Sequence, residues 1–122
     1  MLVLECNHET RLVSKRILEV LGYRVLIAGT PSEAISLADE HEGEIQLLIT
    51  DVIMAEMNGS NLAEWMIIFY PDMKILFMSS DSSNVNARPG LFEEAANFIR
   101  KPFSINDLAG KVRNVLERVN DY

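Results

Sequence analysis

Short apolar runs rich in β-branched and aromatic residues alternate with amphipathic stretches at intervals of roughly 20 to 25 residues, and this alternation constrains the chain most. Alternation of that kind is the signature of βαβ units and a parallel sheet. Strands are expected at Leu2–Glu5, Tyr23–Ala28, Gln46–Asp51, Met73–Met78 and Ala96–Arg100. Most are near-continuous apolar stretches, as required when helices cover both faces of a sheet. Right-handed crossovers then follow from chain geometry.

The helices carry their own punctuation. The first, about Glu9–Leu21, places Leu12, Ile17, Leu18 and Leu21 near helical spacing and stops at Gly22, a residue suited to a left-handed cap. The second starts at Thr30-Pro31-Ser32-Glu33, with an N-cap hydroxyl, a proline in the first turn and a carboxylate three residues on. The third runs from about Gly59 to Phe69 and is stopped by Pro71, and the fifth runs from Ser104, with Asp107 as reciprocal cap, to about Val119. Between them, Asp81–Gly90 is rich in turn formers and contains Pro89, so the fourth helix is expected to be short, irregular or displaced.

Three of the strands end in chemically able side chains. Leu47-Leu48-Ile49-Thr50 runs into Asp51, Leu2-Val3-Leu4 into Glu5-Cys6, and Phe98-Ile99-Arg100 into Lys101-Pro102. Open α/β sheets place their chemistry at the carboxyl ends of the strands, so an acid, a nucleophile and a cation are expected to converge there.

Composition narrows the partners. At 122 residues, 48% hydrophobic and 24% charged, the chain fits one domain with one core. A single cysteine, Cys6, permits no internal disulfide and suits a reducing compartment. No run approaches the roughly 20 apolar residues of a membrane span, so a cytoplasmic domain without membrane contact is expected. Eighteen acidic against eleven basic residues give a charge of −7, which works against phosphate-backbone binding, so no nucleic-acid partner is expected.

Taken together, Asp51 ending strand three with Met54 and Gly59 after it, Ser79 ending strand four, and Phe98-Ile99-Arg100-Lys101-Pro102-Phe103 resemble the receiver domain of bacterial two-component response regulators. The resemblance covers essentially the whole chain, 1–122, as a single domain. Asn61-Leu62-Ala63-Glu64, Tyr70–Ser79 and Lys101-Pro102-Phe103-Ser104 are most similar to receiver modules of hybrid sensor histidine kinases. The fold implied is a flavodoxin-like (βα)5 sandwich of three layers, with a five-stranded parallel sheet in the order 2-1-3-4-5.

The resemblance also implies a chemistry. Asp51 would accept a phosphoryl group from a phosphohistidine of a histidine kinase, a phosphotransfer protein or a fused kinase domain. A carboxylate is a weak nucleophile toward an anionic phosphoryl group, so positioning and positive charge supply nearly all the catalysis. Lys101 and Ser79 would hold phosphoryl oxygens, and Mg²⁺ would be held by Glu5, Asp51 and the backbone carbonyl of Ile53. Phe98 would occupy the aromatic switch position, and the face from strand four to helix five, with Phe103 and Ile105, would meet partners.

Departures from the family pattern sharpen the expectations. The second acid after strand one is replaced by Cys6, and a neutral, soft thiol is a poor ligand for a hard ion that wants oxygen. Weakened Mg²⁺ binding is the consequence, and with it an alternative function: a pseudo-receiver that docks partners without phosphoryl chemistry. Ala55 stands where a proline is common, and Asp81 places a charge where side chains modulate phosphoryl lifetime. A flavin- or nucleotide-binding enzyme of the same architecture is disfavoured, because Glu5-Cys6-Asn7-His8-Glu9 has no glycine to admit a phosphate.

Plainer readings stand beside these. Asp51 alone could merely cap a strand end, and Lys101 could simply solvate one. Cys6 reads as a small buried hydrophobe rather than a redox group, and Cys6 with His8 and the distant His41 does not make a zinc site. His8 is expected exposed at the start of helix one and His41 near the end of helix two, while Trp65, Met66 and Phe69 are read as packing residues.

Overall fold

The structure, a computed structural model, describes residues 1–51, 59–79, 98–101 and 103–117. Five strands, β1 (Leu2–Leu4), β2 (Leu26–Ala28), β3 (Leu47–Asp51), β4 (Lys74–Ser79) and β5 (Phe98–Arg100), pair in parallel in the order β2-β1-β3-β4-β5. The described helices are α1 (His8–Val20), α2 (Pro31–Glu40), α3 (Gly59–Phe69) and α4 (Ile105–Glu117), the last being the fifth helix of the sequence reading. The expected irregular helix lies outside the described residues, as do Ala96 and Asn97 of the fifth strand.

Alternation along each strand divides the core in two. Leu2, Leu4, Leu48, Ile75 and Phe77 face Ala34 and Ala38 of α2 and Leu62 and Met66 of α3. Val3, Leu47, Ile49, Leu76, Met78 and Ile99 face Leu18 of α1 and Leu108, Val112 and Val115 of α4. Helices thus cover both faces, and all five residues of β3 are buried. Each fully buried leucine contributes about 1.5–3 kcal/mol relative to exposure, so the sheet order is fixed by both layers at once.

The caps explain where elements start and stop. Asn7 caps α1 by accepting from the Thr10 N–H at 3.0 Å. At its other end Tyr23 N–H donates to Leu18 C=O and Gly22 N–H to Glu19 C=O, a Schellman pair made possible by Gly22 at φ 98°. This corrects the expected start of strand two at Tyr23: its amide closes the helix, and β2 begins at Leu26, in register with Leu2. Thr30 caps α2 by accepting from Glu33 N–H at 3.2 Å, while the Glu33 carboxylate reaches one residue further back than a standard capping box, to Gly29 N–H at 2.7 Å. Ser104 and Asp107 cap each other reciprocally, at 3.1 and 3.0 Å.

Strand order places the crevice. The sheet grows from β1 in both directions, toward β2 and toward β3, so the topological switch lies between β1 and β3. Leu4 pairs with Thr50, which sets the next residues, Glu5 and Asp51, side by side at the carboxyl edge.

Candidate functional site: two carboxylates and a lysine

Glu5 and Asp51 are 1% and 7% exposed, among the few buried charged residues described. Lys101 follows β5, two strands from Asp51, and reaches both acids at the carboxyl edge of the sheet. Its Nζ donates to Glu5 Oε1 at 2.5 Å and to Asp51 Oδ1 at 2.7 Å. The second Glu5 oxygen, Oε2, accepts from Asn7 N–H at 3.3 Å, so the first turn of α1 also grips this carboxylate. Thr50 Oγ donates to the Asp51 carbonyl at 3.2 Å.

Two acids face one ammonium, and the charges do not balance. Burial, and then the hydrogen bond and charge of Glu5, push the Asp51 carboxyl up to about 7, against the opposing pull of Lys101. Burial also raises Glu5, but hydrogen bonds from Asp51, Lys101 and the Asn7 amide outweigh it and bring its carboxyl below the usual range. The three groups titrate as a unit in which one proton stays on Asp51 until near neutrality. Lys101 is desolvated, yet its hydrogen bonds to Asp51 and Glu5 hold its ammonium above the ordinary lysine range.

Cys6 is exposed, which corrects its reading as a small buried hydrophobe. β1 ends at Leu4, Glu5 turns inward, and the next residue of the bend faces outward just before the Asn7 cap. Partial desolvation of the sulfur beside the acids, followed by the charges of Asp51 and Glu5, raises its thiol, which therefore stays protonated at neutral pH. His8 is exposed at the start of α1 and His41 closes α2, its Nδ1 3.0 Å from the Leu37 carbonyl, both as expected. Met66 is buried and Trp65 stacks on Phe69 at 4.6 Å, in keeping with packing roles.

Of the remaining candidates, Ser79 ends β4 in register with Arg100. Phe98 is half-buried, packed against the α2 and α3 side of the sheet. Phe103 packs against the α1 and α4 side, and Ile105 is 60% exposed. Ile53, Asp81, Met54 and Ala55 lie outside the described residues. The sequence reading passed over Arg11, whose Nη1 donates to the Glu5 carbonyl at 2.8 Å. A cleft of about 220 Å³ between His41 and Met73 lies at the opposite, amino end of β3 and β4 and holds none of the candidate residues.

Among the described residues no three His, Cys, Asp or Glu side chains gather into a metal cluster. What the edge offers a cation is the pair Glu5 and Asp51. One or two carboxylates, completed by water and phosphate oxygens, is the donor set that Mg²⁺ accepts, so the pair fits such an ion.

A doubly wound parallel sheet with paired buried acids and a bridging lysine at its switch point defines an acidic-pocket domain of the flavodoxin-like class. Residues 1–113 match the family described as "Response regulator receiver domain", and the chain belongs to that family, the receiver domains of two-component systems. It is 32% identical over 117 residues to the sensor kinase CckA of Brucella abortus (strain 2308), a match covering 96% of this chain and 12% of that protein. The crystal structure of the receiver domain from the hybrid histidine kinase CckA superposes with a TM-score of 0.78 at 33% identity, covering 95% of this chain and 97% of the other. A response regulator receiver domain protein from Clostridium thermocellum gives a TM-score of 0.84 at 26% identity, covering 96% and 93%. The chain spans less than half the length of the curated relatives it matches.

Proposed function

We propose that residues 1–122 act as a single phosphoacceptor domain in a phosphorelay, with Asp51 as the acceptor. The observation that carries this reading is the Lys101 ammonium within hydrogen-bond reach of both Glu5 and Asp51. An Asp51 oxygen attacks the phosphorus of a phosphohistidine, the P–N bond breaks, and its electron pair returns to the imidazole, which then takes a proton. Lys101 neutralises charge that gathers on the phosphoryl oxygens. Ser79, at the end of the neighbouring strand, supplies a hydroxyl, and Phe98 in β5 follows its engagement as the switch. Glu5 and Asp51 would hold Mg²⁺, with the Ile53 carbonyl as a further oxygen, and the ion supplies neutralisation of the transferring group. The donor is a histidine kinase, a phosphotransfer protein or a kinase domain in the same polypeptide, and the exposed Ile105 belongs to the surface that reads the outcome.

Incubation with a small-molecule phosphodonor and Mg²⁺ is expected to add the mass of one phosphoryl group, and Asp51→Asn to abolish the adduct. An adduct that persists in Asp51→Asn assigns the acceptor elsewhere and overturns the reading.

The neutral thiol of Cys6 supports a second reading, a pseudo-receiver with weak or absent Mg²⁺-dependent phosphorylation. Cys6→Asp is expected to tighten Mg²⁺ binding by about 10-fold or more, measured by titration calorimetry. Equal affinities would remove Cys6 from the argument, whereas an adduct seen only in Cys6→Asp would establish the pseudo-receiver.

A further inference from the structure

We infer that Arg11 is a positioning residue for the acidic edge: it holds the Glu5 turn in register with Asp51, and Gly29 is the seat that makes room for it. The inference rests on the acceptor reading above for its functional meaning, and on geometry for its content.

Arg11 sits one turn into α1, where its own N–H donates to the Asn7 carbonyl at 2.9 Å. From there its guanidinium turns back toward the sheet. Nη1 donates to the Glu5 carbonyl at 2.8 Å, and Nη2 lies 3.0 Å from Nδ1 of His8. The Glu5 backbone is therefore held at both ends, its N–H by the Ala28 carbonyl at 3.1 Å and its C=O by Arg11. This fixes the peptide between β1 and α1 from which the Glu5 side chain departs.

The mode of contact is selective. Arg11 takes the carbonyl of Glu5 and leaves its carboxylate to Lys101 and Asn7, so the turn is clamped without a second cation bonding the acid. A planar fork with diverging donors serves Glu5 and His8 together in a fixed geometry, through two separate nitrogens.

Gly29 supplies the independent observation. Its φ lies outside the left-handed region, so the backbone there does not demand glycine. The guanidinium fills the space instead: a Cβ at this position would stand 2.7 Å from Arg11 Nη1 and 3.5 Å from Cζ, so the arginine head would have to shift. Gly29 is itself anchored, because its N–H donates to Glu33 Oε1 at 2.7 Å. A side chain at Gly29 would thus displace the arginine rather than the strand end.

The test compares Arg11→Gln, Arg11→Lys, Gly29→Ala and the double variant Arg11→Gln/Gly29→Ala in the full chain. Without metal, amide hydrogen exchange at Glu5 and Asn7 is expected to quicken by about 10-fold in Arg11→Gln and in Gly29→Ala, while Leu48 in the buried sheet keeps its protection. Mg²⁺ affinity, read by calorimetry, is expected to fall by about 10-fold in each single variant. The double variant should fall no further than either single, since both remove one clamp, and Arg11→Lys should recover most of the affinity by keeping one donor on the Glu5 carbonyl. Unchanged exchange at Glu5 and Asn7 in both single variants overturns the inference. So do additive losses in the double variant, or Mg²⁺ affinity unmoved by Arg11→Gln. Because Gly29→Ala keeps the arginine, a failure of Arg11→Gln to fold leaves the exchange measurement decisive. A wild-type chain that shows this pattern but takes no phosphoryl group sinks the acceptor reading and leaves the clamp standing.

Discussion

Asp51→Asn is expected to stabilise the metal-free protein at pH 8 by about 2–4 kcal/mol and to flatten its stability between pH 5 and pH 8. The folded chain keeps the Asp51 proton up to about 7, because burial and then Glu5 disfavour the second charge. The unfolded chain gives up the same proton near the ordinary aspartate value of 3.8. Between those limits the folded state binds more protons, so raising the pH favours unfolding, and stability present below pH 4 is lost as the pH climbs through 7. Glu5 acts in the opposite sense and in another window. Its carboxyl is lowered below 4.5, so its contribution is present above that value and lost on acidification. The metal-free protein should therefore be most stable in mildly acid buffer. Urea unfolding in chelator at pH 5, 6.5 and 8 measures this, and parallel pH profiles for wild type and Asp51→Asn would show that Asp51 carries no such burden. A neutral amide keeps an oxygen for Lys101 while removing the charge that the edge struggles to hold, and this is the usual relation between a functional group and the stability it costs.

Local chemistry was the part of the fold most readable from the sequence. Thr30, Ser104 with Asp107, Gly22 and the span Gly59–Phe69 all stand where their capping and periodicity place them, because each depends on neighbours within a few residues. Sheet order was legible through family resemblance, and the structure agrees with it. Tyr23–Val25 failed as strand because apolar content alone does not reveal that the Tyr23 amide is already engaged by the end of α1.

The site divides along the same line. That Glu5, Asp51 and Lys101 end their strands follows from pattern, but that one ammonium spans both acids requires the register Leu4 to Thr50 and a lysine that reaches them from β5, two strands from Asp51. Cys6 was misjudged because cysteine is usually buried, whereas here the bend turns it outward while its neighbour Glu5 goes in. Arg11 escaped notice because a guanidinium bound to a carbonyl leaves no mark in spacing or composition. Its one sequence correlate is a glycine at position 29, which no turn geometry calls for.

Lys101→Met should prove the most damaging single change at this edge. The ammonium contacts Glu5 at 2.5 Å and Asp51 at 2.7 Å, and its side chain is only 18% exposed. Removing it leaves two buried acids facing each other with no cation on either carboxylate among the described residues. Breaking a buried ion pair by deleting one partner costs about 3–5 kcal/mol, because the remaining charge is left uncompensated. The loss should be largest at pH 8, where both carboxyls are pressed to ionise, and smaller at pH 5, where Asp51 holds its proton. Adding Asp51→Asn to Lys101→Met should recover much of the stability at pH 8, since it removes one of the two opposed charges; a double-mutant cycle of urea unfolding reads this directly. Phosphoryl uptake should fall by about 10²–10³-fold in Lys101→Met, the scale of losing one preorganised donor to a developing anion, measured as the initial rate of adduct formation by intact mass. Unchanged stability at pH 8 would mean that solvent, not Lys101, compensates the acids. Full phosphoryl uptake without the lysine would remove it from the chemistry altogether.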